Sequence, residues 1–385
     1  MCNTELGKFC KGHADWQELL AQEPYCLKIK EDGPYTMFSY DQIRSDFNLR
    51  LVREARGIIF RNGEWENPVC WAFDKFGNYG ESYAPDIDWA TSFVTEKVDG
   101  SLIKMWYDAG NWHISTNGSI DAFKAEMSDM MYPSFGDYFG DTLRNYYSDI
   151  NVFFDGLNKD FTYMFELVGP YNRVVIPYEK CAAYFLGARN KFTGEEHLCT
   201  AIEMENLGVA KLQRPKVYQL LTLDDCIRVA ETFSWDQEGF VVCDSNFNRV
   251  KIKSPAYVLA HFARNNNVIT KKHLIRIVLL NEVEEFMCYA ADYKDRLEEV
   301  QKQINLFVNI GDKLAEACRE MSSILSRPDY ARLVKAMPDI YQGLLFCNYG
   351  ASRTMAEYTA KWNEAKWEEH LELFEKYKER NWERE

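Results

Sequence analysis

Lys97-Val98-Asp99-Gly100-Ser101 sets a lysine ahead of a carboxylate, a glycine and a hydroxyl at fixed spacing. The grouping suits an amine that attacks the α-phosphate of a nucleotide and keeps the nucleotide covalently. Lysine is a poor nucleophile while protonated, with a reference pKa of about 10.4, and nearby cations or a metal favour its neutral form. Gly100 lets the backbone come close to a ligand. The same residues also suit a solvated turn. By average composition, Lys-x-Asp-Gly turns up in roughly one chain in ten of this length, so its neighbours decide the reading.

Working outward, Ser101 to Tyr107 and Trp112 to Thr116 read as a hairpin around Asp108-Ala109-Gly110-Asn111. Ala55 to Phe60, Phe161 to Val168, Ala182 to Leu186, Gly239 to Cys243 and Arg249 to Lys253 read as further strands. Glu166 lies inside the apolar run Phe161 to Val168. An unpaired buried carboxylate costs several kcal/mol or shifts its pKa upward, so Glu166 is either a paired structural residue or part of a metal site. Glu238-Gly239 opens another apolar strand. Lys251 and Lys253 are two apart, so on a strand both project to one side, away from Val250 and Ile252. Such a pair suits a polyanion above it, or an exposed edge strand kept unsticky by its lysines.

Helices are expected near the N-terminus, over Ala122 to Tyr132, Phe139 to Ser148 and Leu223 to Thr232. After residue 263 the apolar period turns helical: Tyr293, Leu297, Val300, Ile304, Phe307, then Leu314, Ala317, Met321, Ile324. Pro328 and Pro338 punctuate the helices. In the charged stretch from Met355 to Arg384, Trp362, Trp367, Leu371 and Phe374 form a stripe that reads as core packing rather than an RNA-stacking platform. The fold class is α+β: antiparallel sheets flanked by helices over residues 1–262, then an all-α domain over 263–385.

The 385 residues, 46% of them hydrophobic, are enough for one large core or two domains. A net charge of -14 argues against a protein that coats nucleic acid non-specifically. Nucleic acid would have to be met at a local basic site. The eleven cysteines include no Cys-x-x-Cys pair and the six histidines offer no zinc spacing. They read as reduced thiols of a cytoplasmic protein. Met1-Cys2-Asn3-Thr4-Glu5 is not the start of a signal peptide, and the longest aliphatic run, Leu274 to Leu280, is broken by Arg276 and too short to span a bilayer.

In order and spacing these elements resemble the motifs of the covalent nucleotidyltransferases, the superfamily of RNA ligases, DNA ligases and mRNA capping enzymes. Lys97 to Ser101 matches the first motif. Phe165-Glu166-Leu167-Val168 matches the third, Glu238-Gly239-Phe240-Val241 the fourth, and Lys251-Ile252-Lys253 the fifth. Within the superfamily the chain is most similar to the bacteriophage T4 RNA ligase 1 family. Glu54-Ala55-Arg56-Gly57-Ile58-Ile59-Phe60 resembles that family's arginine-glycine strand, and Asp74-Lys75-Phe76-Gly77-Asn78 its following segment. The continuation Gly169-Pro170-Tyr171-Asn172-Arg173-Val174-Val175 is also similar. A helical domain follows, in place of the β-barrel of DNA ligases and capping enzymes.

The resemblance implies an adenylyltransferase domain and three steps. Lys97 takes AMP from ATP and releases pyrophosphate, AMP moves to the 5′-phosphate of an RNA end, and a 3′-hydroxyl seals the bond. It implies that Arg56, Lys75, Lys251 and Lys253 contact phosphates, with Gly100 and Asn117 also at the nucleotide. Asp99, Glu166 and Glu238 would hold Mg²⁺, or Mn²⁺ in its place, through water. Glu96 is either an acceptor for the adenine N6 amine, favouring ATP over GTP, or a solvated strand residue. Asn117 stands where the family usually has a lysine. Either it contacts ribose or phosphate neutrally, or Lys104 or Lys124 substitutes. RNA ends are the implied partners, broken tRNA among them, with an end-healing kinase or phosphatase alongside and no membrane. The cytoplasm would be the host's if the chain is phage-encoded. The competing readings are a capping guanylyltransferase, a DNA ligase, and a non-catalytic RNA-end-binding protein.

Overall fold

Strands, most of them built from alternating or continuous apolar runs, frame the first unit. In chain order they are β1 (Lys28–Asp32), β2 (Tyr35–Ser39), β3 (Arg56–Arg61), β4 (Phe93–Glu96), β5 (Ser101–Asp108), β6 (Asn111–Thr116), β7 (Phe161–Val168), β8 (Ala182–Asn190), β9 (Glu196–Leu198), β10 (Val217–Tyr218), β11 (Gly239–Cys243) and β12 (Arg249–Lys253). The computed structural model describes residues 4–127, 131–263 and 269–381. It divides into two compact units, Met1–His261 and Phe262–Glu385.

In the first unit the strands form three antiparallel sheets, ordered β1-β2-β3, β10-β4-β11-β12 and β6-β5-β7-β8-β9. β7 lies between β5 and β8 and is buried at every position except Glu166, as its nearly unbroken apolar run requires. β5 alternates. Ile103 and Met105 join a core with Tyr138 and Phe139 from the helix Phe135–Arg144. Trp106, on the opposite face, packs with Met37 and Ile59 of the first sheet. The third sheet is thus covered by a helix on one face and by the first sheet on the other.

Two helix expectations change. Among the described residues of Ala122 to Tyr132 the chain makes only a 3₁₀ turn, Ala122–Lys124, started by the Asp121 side chain accepting from the Phe123 N–H. It then returns through a bridge between Glu126 and Ser134; residues 128–130 lie outside the described residues. The helix expected from Phe139 starts four residues earlier, because Ser134 is its N-cap and accepts from the Asp137 N–H. The hairpin β1–β2 has no counterpart in the sequence reading: Lys28–Asp32 is too charged to read as a strand.

In the second unit the helix Lys294–Ser322 is central. Leu297, Val300, Ile304 and Phe307 are buried, as their spacing predicts. The stripe then departs from expectation. It continues through Gly311, Ala315 and Cys318, while Ala317, Met321 and Ile324 face outward. Small residues hide this face from a hydropathy reading. A side chain at Gly311 would meet Met355 at 2.5 Å, so close packing needs the glycine. Phe307 stacks on Tyr341 and touches Phe374 and Trp367. Trp367, Leu371 and Phe374 are buried and Trp362 half-buried, so the stripe is core. Among the described residues no helix is long and apolar enough to cross a membrane.

Candidate active site

Lys97 sits where the chain crosses from β4 in the second sheet to β5 in the third. Its N–H donates to the Gly239 carbonyl at 2.8 Å. Gly239 has φ +135°, and a Cβ there would lie 2.1 Å from the Ile252 oxygen, so only glycine lets β11 begin this close to β12. This packing sets Glu238 beside Lys97. Lys97 Nζ lies 2.8 Å from Glu238 Oε1, and Lys253 Nζ lies 3.7 Å from the same oxygen. The other oxygen, Oε2, is buried with no hydrogen-bond partner. Val250 and Ile252 enter the apolar cluster behind β12 while Lys251 and Lys253 line the cavity, as the alternation predicts.

That cavity holds about 290 Å³. Lys97, Arg56, Asn117, Glu166, Lys251 and Lys253 all open onto it, and Glu96 and Gly100 lie on its wall. Burial lifts the Glu166 carboxyl to about 7 against the pull of Lys97, and the nearby Glu238 charge adds to the rise. Two buried guanidinium nitrogens of Arg56, Nε and Nη1, and the Asn117 Oδ1 have no hydrogen-bond partner. Unpaired buried polar atoms are costly, and all three belong to residues that line this cavity, which suits a polar ligand. Phe73, Phe76 and Phe93 supply an apolar wall for a planar base. Phe76 carries no signal of its own in the sequence, yet Arg56 and Lys251 lie 5.2 and 5.5 Å from its ring centre.

Asp99 and Lys75 lie off the cavity, and Gly100 on its wall also serves the packing. Asp99 is buried, with both carboxylate oxygens taken by the chain. Tyr257 donates its hydroxyl to Oδ1 at 2.8 Å, and the Val175 and Ile176 N–H groups donate to Oδ2 at 2.9 and 2.7 Å. This is a brace, and it leaves Asp99 poorly disposed to hold a metal. Gly100 is needed for protein packing: a Cβ would lie 2.5 Å from the Leu167 oxygen and 2.8 Å from Val168 Cγ1. Lys75 does not line the Lys97 cavity. It lies near the Gln42 amide oxygen and over the rings of Tyr40 and Phe47, in an adjacent pocket with Arg50, Arg53 and Arg249. Glu96 lines the cavity and accepts weakly from the Lys216 N–H at 3.4 Å.

Arg249 escapes a sequence reading because it looks like an ordinary strand start. It is buried between the two pockets, 2.6 Å from Glu196 and over the Phe73 ring. Its partner is far away in sequence, so spacing gives no signal. The segment Gly77–Asn78 runs beside β12, with the Lys251 N–H donating to the Gly77 carbonyl. Asn172, in the continuation after β7, donates to the Leu167 carbonyl at 2.6 Å and the Ser101 hydroxyl at 3.2 Å, tying that loop to the Lys97–Ser101 segment.

Among the described residues no group of three or more His, Cys, Asp or Glu side chains could by itself hold a metal ion. Glu166 and Glu238, with the unpartnered Oε2, fit a hydrated cation held partly by ligand phosphates. Asp99 does not.

The profile of the RNA ligase family typified by T4 RNA ligase 1 matches residues 54–257, more than half of the chain. The chain belongs to this RNA ligase family. A chain of Autographa californica nuclear polyhedrosis virus, named as a putative bifunctional polynucleotide kinase/RNA ligase, is 28% identical over 304 residues, covering 74% of this chain and 42% of its own. An RNA ligase of Rhodothermus phage RM378 is 27% identical over 345 residues, covering 75% of this chain and 76% of its own. The match therefore spans less than half the length of the first relative. The structure of an archaeal ATP-dependent RNA ligase aligns over 74% of each chain with a TM-score of 0.45 at 13% identity.

Proposed function

We propose that the chain is an ATP-dependent RNA ligase that joins 5′-phosphate and 3′-hydroxyl RNA ends through a covalent Lys97–AMP intermediate. One observation carries the reading. An amine lies 2.8 Å from a buried carboxylate, on a cavity also lined by Arg56, Lys251 and Lys253.

An amine attacks only when unprotonated, and Glu238 is the group in reach to take the Lys97 proton. Lys97 Nζ then forms a bond to the α-phosphorus as the bond to the β-phosphate oxygen breaks and pyrophosphate leaves. Arg56, Lys251 and Lys253 face the charge that accumulates there. In the second step an RNA 5′-phosphate oxygen displaces Lys97 and restores its amine. In the third a 3′-hydroxyl attacks that phosphate and AMP leaves. Mg²⁺, or Mn²⁺ in its place, would offset phosphate charge, with Glu166 and Glu238 holding its waters. The Lys75 pocket, which shares Phe76 and Arg249 with the cavity, is the place we assign to the far phosphates. The baculovirus relative is named for a kinase joined to a ligase, which suits a chain working beside an end-healing kinase on broken RNA, tRNA included.

The test is incubation with radiolabelled ATP or GTP followed by a denaturing gel. The wild-type chain should carry label from ATP and not from GTP, and Lys97→Ala should carry none. Chased with 5′-phosphorylated single-stranded RNA, the label should pass to RNA. Label that survives in Lys97→Ala removes the nucleophile assignment. Label from GTP alone turns the reading to a capping enzyme.

A further inference from the structure

Lys104 is fully buried on β5, with no exposed surface. Its neighbours on that strand are apolar, and it pairs across the sheet with Ser115 and Met164. Placing an ammonium group in such a layer is costly unless something answers its charge. Among the described residues, the titratable or charged groups that act on it are Cys70 and Arg56, with no carboxylate between them. Burial, opposed by Cys70 and assisted by Arg56, lowers its pKa to about 8. Nζ donates to the carbonyl of Gly57, the residue after Arg56. Gly57 has φ +72°, and a Cβ on it would meet Lys104 Nζ at 2.4 Å and the Asn117 backbone at 3.1 Å. Lys104, the Arg56-Gly57 strand start and Asn117 are therefore in contact at one point, directly behind the cavity wall.

On the front of that wall, Arg56 and Asn117 line the cavity, and each keeps buried polar atoms without a hydrogen-bond partner. Asn117 brings no charge there. Lys124 cannot supply it, because that lysine is largely exposed and paired with Asp32 at 2.6 Å. We infer that Lys104 is a positioning residue of the nucleotide site, which replaces from behind the wall the positive charge that Asn117 lacks and holds Arg56 in place through the Gly57 carbonyl. This rests on the ligase reading of the same cavity. It adds a residue that never touches ATP but sets how tightly ATP binds. It also explains why a lysine without a carboxylate partner is kept in an apolar layer: the balancing charge arrives with the nucleotide.

The experiment measures Lys97 adenylation against ATP concentration in the full chain. Lys104→Met keeps the volume and removes both charge and hydrogen bond. Lys104→Gln keeps a donor for Gly57 and removes the charge. Each is checked for folding by circular dichroism and thermal melting, so that one folded variant suffices. The KM for ATP should rise by about tenfold or more while kcat stays within about threefold, the pattern of lost ligand binding. Adding Asn117→Lys to either variant should recover most of the loss, which a merely structural lysine would not allow. An unchanged KM in a folded variant, or no recovery with Asn117→Lys, overturns the inference. A wild-type chain that forms no adduct sinks the ligase reading and this inference with it. Normal adduct formation by the wild type with a normal KM in the variants sinks the inference alone.

Discussion

At the scale of single residues, Glu238 does two things at once, since one oxygen faces both Lys97 and Lys253 while the other has no partner. Glu238→Gln keeps the size and removes the base. Single-turnover adenylation should fall about 100-fold or more, while equilibrium ATP binding changes only a few-fold. Equal losses in both would make Glu238 a ground-state contact. Glu166 allows a pH test. Burial raises its folded pKa to about 7 from an ordinary value of 4.5. Between those values the folded chain binds more protons than the unfolded one, so this group's contribution to stability is full below about 4.5 and is lost as pH rises through 7. Glu166→Gln removes the titration. Without nucleotide it should be more stable than wild type at about pH 8, by on the order of 2–3 kcal/mol, with the gap closing towards pH 4.5 in thermal melts. Glu54 is also lifted to about 7 by burial, but it titrates in both proteins and cancels. Much of this site was legible because its chemistry is written in short spacings: Lys97, the Glu238-Gly239 pair, and two lysines two apart. Lys104 stands out in the sequence only as one of two substitutes for Asn117, and Arg249 not at all. Their roles depend on Gly57 and Glu196, which come near only on folding.

At the scale of elements, the segment between β4 and β5 works because two other pieces of chain hold it. The helix Pro255–Ala263 sends Tyr257 to Asp99, and the loop after β7 sends the Val175 and Ile176 N–H groups to the same carboxylate and Asn172 to Ser101. Asp99→Asn can keep its oxygen on the Val175 and Ile176 N–H groups and turn its amide to Tyr257, whose hydroxyl then accepts. The loss of the charged acceptor should still cost about 1 kcal/mol, lower the melting temperature and slow adenylation. The magnesium concentration for half-maximal rate should stay at its wild-type value. A several-fold rise in that concentration would return Asp99 to the metal. The strands around this segment were readable because each carries its own apolar run. The failures have physical causes of the same kind. Ala122 to Tyr132 has helix-forming residues, but Asp121 and the return to Ser134 stop it after one 3₁₀ turn. In Lys294–Ser322 the buried face passes through Gly311 and Ala315, which carry too little hydrophobicity to outcompete the exposed Met321 and Ile324.

At the scale of the whole molecule, the proposed function makes charge the term that sets how RNA is met. The chain carries -14 overall, yet Arg56, Lys97, Lys251 and Lys253 converge on one cavity, with Arg50, Arg53, Lys75 and Arg249 around the next. An acidic body repels a polyanion along its length, while a cationic cavity accepts the few phosphates at an end. Counterion release counts neutralised phosphates: each contact with a single strand contributes about -0.7 to the slope of log K against log salt. Contact with only an RNA end, about two to four phosphates, predicts a slope between roughly -1.5 and -3. A chain that ran RNA across a wide basic surface would give roughly -5 or steeper. Fluorescence anisotropy with 5′-phosphorylated single-stranded RNA, between about 50 and 200 mM salt, reads this directly. The catalytically silent Lys97→Ala chain keeps the RNA intact during the titration. If the contacts gather at the 5′-phosphate, as the proposed function requires, removing that phosphate should weaken binding several-fold and make the slope shallower by about 0.7 to 1.4, the share of its one to two charges. A steep slope that ignores the 5′-phosphate would mean that RNA lies along some other face, and that the acidic balance does not govern how this chain finds its ends.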